Sequence, residues 1–147
     1  MLMSKVDLLL NDIEENCDLT EYGSSVAACM VDCVSVIEHQ LPPTAKAGLL
    51  VCRSYLSGES FLQQLKSAIL DCWAGLGKGG QESRLEIPDV SATRAILCIL
   101  KCLEGEDLHD LVDQMSFFLQ LVNNVEAHED EQEALLRKYF VACLTDS

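Results

Sequence analysis

Apolar residues recur along this chain at intervals of three and four positions, which is the spacing of one face of an α-helix. The first stripe runs from Val6 to Cys17, and the second runs from Val26 to Ile37. Pro42-Pro43 then ends one helix and opens the next, because proline is accepted in a first turn but not in a helix interior. A third stripe from Ala45 to Leu56 follows, and Gly58 is expected to close it as a C-terminal cap.

The middle of the chain predicts two further helices separated by a glycine-rich loop. Ser60 can cap a fourth helix from Leu62 to Leu76, in which we expect Trp73 to pack in the core. Several glycines then open a loop that reaches to about Pro88. A fifth helix, starting at Asp89 or Ser91 and running to Leu103, is apolar almost all round and ends at Gly105. A helix with so little polar face is expected at the centre of a bundle.

Two more amphipathic stripes complete the pattern. The sixth helix is predicted from Leu108 to Val122, and the seventh follows Glu129 and reaches Cys143. Short connections favour antiparallel neighbours. The sequence therefore predicts an all-α fold, a compact bundle of about seven mostly antiparallel helices, formed by residues 1–147 as a single domain.

Composition is consistent with a folded domain. Apolar residues make up 49% of the 147 positions, which excludes a disordered acidic tail even at a net charge of −14. The N-terminal segment lacks the pattern of a secretion signal, because Lys5 is its only basic residue and Asp7 interrupts the apolar stretch. No run approaches the ~18 apolar residues of a membrane span. We therefore expect a cytoplasmic protein that does not enter a membrane.

The eight cysteines are expected to be reduced. None forms a Cys-x-x-Cys pair, and Cys29/Cys33 and Cys98/Cys102 are each four residues apart on apolar helix faces. In a reducing compartment such residues are small core side chains. The three histidines do not complete a zinc pattern with them, so no metal is predicted.

Negative charge is concentrated in two blocks. Eight carboxylates lie from Asp7 to Glu38 and ten lie between Lys101 and Arg137, and neither segment contains Lys or Arg. An ordinary solvated helix mixes signs, because Glu–Lys pairs four apart stabilise it by ~0.2–0.5 kcal/mol each. The imbalance instead predicts a face that docks a cationic partner. We expect the segment from Asp7 to Glu21 to be a second candidate face. The first candidate face comprises the ten acids of the second block: Glu104, Glu106, Asp107, Asp110, Asp113, Glu126, Glu129, Asp130, Glu131 and Glu133.

The same charge argues against several other functions. Phosphate-binding faces need clustered Lys and Arg, so direct nucleic-acid binding is not expected. No Gly-x-Ser-x-Gly elbow is present, and the glycine-rich segment 75–80 follows a helix and lacks the Gly-Lys-Ser/Thr ending of a phosphate loop. We therefore predict a protein that is not an enzyme and has no cofactor.

One segment resembles a known family. The segment 61–76 contains Phe61-Leu62, Leu65 and Ala68-Ile69-Leu70, followed by Cys72-Trp73-Ala74-Gly75-Leu76. It resembles the Cys-Trp helix of the all-helical immunity proteins of bacterial polymorphic toxin and contact-dependent growth inhibition systems. The stretch from Ala95 to Val122 has the order and length of the later helices of that group. The resemblance implies a small acidic protein that neutralises a cognate toxin made by the same cell.

Charge and resemblance together predict an immunity protein. Its partner would be a cognate protein toxin, most plausibly a basic nuclease domain, whose active site or substrate groove it blocks. The alternative is a helical regulatory adaptor that receives a partner helix in an apolar groove, with the acids merely solvating its rim. Neither hypothesis fixes the identity of the toxin or the oligomeric state.

Overall fold

A computed structural model describes residues 4–77, 83–105 and 110–144 of the chain. Within these ranges it has seven α-helices and no strand, which confirms the predicted all-α bundle. Short 3-10 turns follow α1, α2 and α7. The helices are α1 (Lys5–Asn16), α2 (Gly23–Ser35), α3 (Pro43–Leu56), α4 (Leu62–Gly77), α5 (Pro88–Glu104), α6 (Leu111–Val125) and α7 (Glu129–Tyr139).

Helix α5 lies at the centre of the bundle, as its nearly continuous apolar surface predicts. It packs against α2, α3, α4 and α6, and ten of its 17 residues are buried. On one side, α4 packs on α3 and α5. On the other, α7 packs on α1 and α2. Helices α4 and α7 therefore form opposite edges of the molecule.

The helix ends follow the local chemistry of the sequence. Pro43 opens α3 and Pro88 opens α5, where the missing N–H of proline leaves no hydrogen bond unmade. Gly58 and Gly105 follow the ends of these two helices with φ of 82° and 75°, as the sequence predicts, since glycine adopts the left-handed conformation without steric cost.

Several predicted boundaries are shifted. Helix α2 begins at Gly23, three residues before the first residue of its apolar stripe, and ends at Ser35, before a separate turn over Glu38–Gln40. Helix α4 begins at Leu62, and the backbone N–H of Phe61 donates to Oε1 of Gln64 at 2.7 Å. Phe61 thus occupies the cap position predicted for Ser60. The predicted start of α6 at Leu108 lies outside the described residues.

The prediction that all eight cysteines are reduced is wrong for two of them. Cys17, just after α1, and Cys143, in the turn after α7, form a disulfide across a sequence separation of 126 residues. The pairing follows from the fold, because α1 and α7 pack side by side and bring the two thiols together. The other six are free, and all but the half-buried Cys98 are buried.

None of the described helices combines the length and the apolar character that crossing a bilayer requires.

Candidate docking surfaces

The acids of α7 are held by cations of the same molecule. Lys5 forms an ion pair with Asp130, and its Nζ lies 3.6 Å from Oε1 of Glu133. Arg137 lies 3.2 Å from the other oxygen of Glu133, one helical turn away. The Lys5 ammonium lowers the pKa of Asp130, chiefly through their hydrogen bond. Part of the predicted acidic face is therefore neutralised by Lys5 and Arg137, which lie outside the acidic segment in the sequence but next to it in the fold.

His128 adds a further internal contact to the same segment. Its Nε2 lies 2.7 Å from Oε1 of Glu126 and its Nδ1 lies 3.3 Å from Oε2 of Glu131. Hydrogen bonding to Glu126 in the first place, and to Glu131, raises the pKa of His128 above its usual value. In the segment from Glu126 to Glu133, the histidine is therefore held between two of the acids, with Glu129 exposed beside them.

The other half of the predicted face divides differently. The side chain of Glu104 is only 10% exposed and lies 4.0 Å from Nζ of Lys66, so it contributes little to the surface. Glu106 and Asp107 lie outside the described residues. Asp110 and Asp113 are exposed at the start of α6. Of the ten predicted acids, these two and Glu129 are the ones described as exposed without an ion pair to Lys, Arg or His.

A polar cavity brings Asp110 together with the first acidic block. The cavity has a volume of about 500 Å³ and lies between the end of α1 and the start of α6. Glu14, Glu15 and Asp18 line it from one side and Asp110 lines it from the other, and among the described residues no Lys or Arg lines it. Asp110 has a φ of 53°, a left-handed conformation that aspartate tolerates better than most residues. Acids that are about 95 residues apart in sequence therefore share one concave surface.

Three other acids of the first block hold helices together. Asp7 accepts from Oγ of Ser116 at 2.8 Å, which links α1 to α6. Asp32 accepts from the hydroxyl of Tyr139 at 2.5 Å, which links α2 to α7. This hydrogen bond raises the pKa of Tyr139 to about 12.

Glu38 makes a similar link on the other side of α2. It accepts two hydrogen bonds from Arg53 of α3, at 2.7 and 3.0 Å, and these lower its pKa. Together with Asp7 and Asp32, it shows that three of the eight acids in the first block serve internal contacts.

The disulfide is part of the wall of the acidic cavity. Cys17 lines the cavity directly between Glu14-Glu15 and Asp18. Its bond to the fully buried Cys143 fixes the end of α1 against the C-terminal turn. Sequence reasoning missed this pair, since cysteines so far apart give no spacing signal.

A second concave surface lies between α3 and α4. This groove has a volume of about 800 Å³, and of the described residues that line it Asp71 is the only charged one. Small side chains dominate both walls, and Phe61, which is 73% exposed, lies at its edge. The adaptor hypothesis predicted such a groove without placing it. The excess of apolar residues in α4, more than one buried stripe can hold, was the available signal. Its other lining residues are Pro43, Thr44, Ala47, Gly48, Val51, Gln63, Gln64, Ser67, Ala68, Ala74 and Gly75.

The expectation that Trp73 packs in the core is wrong. Its side chain is 40% exposed, and the guanidinium of Arg94 lies 5.2 Å from its ring centroid. On the helical wheel, Leu62 and Trp73 share the side of α4 that faces away from the groove, whereas the exposed Leu70 lies beside the groove residues Gln63 and Ala74. The Cys-Trp segment thus buries its cysteine and presents its tryptophan to solvent.

The described residues offer little chemistry beyond docking. No group of three or more His, Cys, Asp or Glu side chains among them is arranged to hold a metal ion. Burial raises the pKa of Cys52 to about 12 and the pKa of Cys72, Cys98 and Cys102 to about 11. These thiols are therefore protonated at neutral pH, whereas the thiolate is the nucleophilic form.

Comparison of the chain with protein-family models, with curated proteins and with solved structures finds no match.

Proposed function

We propose that this protein is a non-catalytic inhibitor that docks on a cationic protein, as an immunity protein docks on a cognate toxin. The target would be a basic nuclease domain, and the acidic surface would cover its active site or substrate groove. The observation that carries the proposal is the acidic cavity, where Glu14, Glu15, Asp18 and Asp110 converge and where the described part of the chain contributes no Lys or Arg to the lining.

The cavity suits a cationic partner for electrostatic reasons. Carboxylates that converge on a concave surface with low-dielectric walls focus their field outward, which raises association rates by ~10–10³-fold and favours partners of opposite sign. An exposed Arg or Lys side chain of the partner would enter the cavity and be surrounded by acids. The α7 acids suit this role less well, because Lys5, His128 and Arg137 already compensate them.

The contact region is thereby revised from the sequence prediction. Asp110 and Asp113 keep their proposed role, and Glu14 and Glu15 of the second candidate face join them. Glu104 is removed by its burial, and the segment from Glu126 to Glu133 becomes peripheral.

The test measures association with the toxin domain encoded beside this gene. Stopped-flow rates would be recorded from about 20 mM to about 500 mM NaCl, a range over which the Debye length falls from about 20 Å to a few Å. We expect the association rate of the wild type to decrease steeply as salt rises. At low salt, the triple variant Glu14→Lys, Glu15→Lys, Asp110→Lys should associate at least tenfold more slowly than the wild type. A matched control reverses Glu126, Glu129 and Glu131, which changes the net charge by the same amount at residues that do not line the cavity.

Three outcomes count against the proposal. They are rates independent of salt, equal losses in the two triple variants, and the absence of binding to the neighbouring toxin. An equal loss would mean that net charge, and not the cavity, attracts the partner.

The helical adaptor is a second candidate because the groove between α3 and α4 supplies the apolar surface it needs. An adaptor would keep its partner when Asp110 is reversed to Lys, whereas the inhibitor would lose most of its affinity. What fills the groove therefore bears directly on this alternative.

A further inference from the structure

We propose that the groove between α3 and α4 is the interface of a symmetric homodimer, in which a second copy of this chain docks through the same two helices. The proposal is independent of the acidic cavity and of its target.

The distribution of charge selects this edge for self-association. Each chain carries a net charge of −14, so two copies repel each other through most of their surface. From Pro43 to Gly77, however, the chain has three basic residues and two acidic ones. Two chains can therefore approach through α3 and α4 without opposing two acidic blocks. A highly basic partner would instead be drawn to the acidic cavity, which lies on helices that α4 does not pack against.

The shape of the edge is complementary to itself. Phe61 at the rim is 73% exposed, and Leu50 on the outer face of α3 is also exposed. Between them the groove is lined by small residues, among them Ala47, Ala68 and Gly75. A two-fold axis places the same patch opposite itself, so the large side chains of one copy can enter the small-residue groove of the other. This edge has both exposed large side chains and a groove that can receive them, as a two-fold interface needs. An adaptor would need only the groove.

The size of the edge suits a weak dimer. Helices α3 and α4 contain 14 and 16 residues, so at 1.5 Å per residue they are about 21 and 24 Å long. Two helices side by side present a face of roughly 20 by 20 Å, or about 400 Å² per copy, which is below the ~800 Å² of a standard interface and in the range of weak, transient ones. The resulting arrangement is a four-helix bundle built from two copies of the α3–α4 pair.

The groove is also continuous with a second depression. A cavity of about 280 Å³ at the start of α3 and α5 shares Thr44 and Gly75 with the groove. Helices α3 and α4 are in close contact there, since a Cβ on residue 75 would lie 3.4 Å from Oγ1 of Thr44. The interface can thus extend along α3 to its first turn.

The experiment compares the mass in solution of the wild type and two variants by sedimentation equilibrium, from about 1 to about 200 µM, a range that resolves micromolar association. We expect the wild type to reach twice the 16.2 kDa of one chain. Phe61→Glu, in the groove, should remain monomeric. Leu8→Glu is the matched control, because Leu8 is 54% exposed on α1, from which no described residue lines the groove, and this variant should dimerise like the wild type.

Both substituted residues are exposed, so circular dichroism should show unchanged helicity in all three proteins. A wild type that stays monomeric at the highest concentration overturns the proposal and leaves the groove open for a partner helix or an apolar ligand. A dimeric Phe61→Glu, or a monomeric Leu8→Glu, overturns the assignment of the interface to the groove.

Discussion

Gly48 in α3 faces Ile96 in α5 so closely that a Cβ on residue 48 would lie 2.7 Å from Cγ2 of Ile96. Cγ2 branches directly from Cβ and is restrained by the helix, so it cannot move aside as the end of a long side chain would. The contact sets the distance between the edge of the bundle and its central helix. It also explains why a glycine is found in the interior of a helix, where it is otherwise unfavourable.

Gly48→Ala should therefore destabilise the protein although alanine favours helix. Overpacking a core costs ~1–3 kcal/mol, and the gain in helix propensity returns ~1 kcal/mol. We expect a net loss of about 1 kcal/mol in the free energy of unfolding, measured by urea denaturation. Gly23→Ala in α2 is the control, because nothing lies within 4 Å of a Cβ there, and it should be neutral or stabilising. Equal effects of the two substitutions would contradict the close packing of α3 on α5.

The disulfide between Cys17 and Cys143 should contribute substantially to stability. It closes a loop of more than 100 residues, for which the entropy of the unfolded chain predicts a contribution of up to ~4.7 kcal/mol, and removal of native disulfides typically costs 2–5 kcal/mol. We expect Cys17→Ser with Cys143→Ser to lower the free energy of unfolding by about 3 kcal/mol. Dithiothreitol should reproduce the loss in the wild type and have no effect on the variant. Identical midpoints with and without reductant would show that the bond does not form in solution.

The hydrogen bond from Tyr139 to Asp32 should make stability depend on alkaline pH. The pKa of Tyr139 is raised from its ordinary value of about 10 to about 12, so the folded state holds this proton more tightly than the unfolded state does. Its contribution is complete below pH 10 and is lost as pH rises from 10 to 12. An ultraviolet titration of tyrosine ionisation should resolve the raised pKa.

The same hydrogen bond can be removed by mutation. Tyr139→Phe leaves Asp32 without this donor and should cost ~1.5–3 kcal/mol at pH 7, with a smaller difference from the wild type at pH 12. Tyr55→Phe on α3 is the control and should change little. A constant difference between Tyr139→Phe and wild type across this pH range would contradict the assignment.

Repulsion among the acids of the cavity should destabilise the fold, so added salt should raise the free energy of unfolding. Raising NaCl from about 20 mM to about 500 mM should stabilise the wild type by ~0.5–1 kcal/mol, because screening weakens repulsion among Glu14, Glu15, Asp18 and Asp110. The neutral triple variant Glu14→Gln, Glu15→Gln, Asp110→Asn should have a smaller salt dependence. The matched variant Glu126→Gln, Glu129→Gln, Glu131→Gln removes acids that His128 partly compensates, so it should change the salt dependence less. An unchanged dependence in the cavity variant would show that its acids do not repel one another.

The helices could be read from the sequence because each buries one apolar stripe, and the central position of α5 followed from the same pattern. The helix ends at Pro43, Gly58 and Gly105 were equally predictable, since these residues start or end a helix through their own backbone geometry. The start of α2 was not. Gly23 and the two serines after it carry no apolar stripe, and tertiary packing extends the helix over them.

The candidate sites were less predictable, because they depend on which helices are neighbours. A charge count along the chain cannot show that Lys5 reaches Asp130, since the pair joins opposite ends of the sequence. The same packing of α1 on α7 concealed the disulfide from any argument based on cysteine spacing. Trp73 was misplaced because the resemblance and the apolar stripe of α4 describe one helix, whereas its exposure depends on how far α3 and α5 cover that helix.

The link between Cys17 and Cys143 also makes most of the chain a closed ring. If a protease cleaves the backbone once anywhere inside that ring, the two fragments stay attached through sulfur and continue to pack around α5. Such a nicked molecule would migrate as one species until a reductant separates its pieces. A bundle built this way can survive a cut that would dismantle an open one.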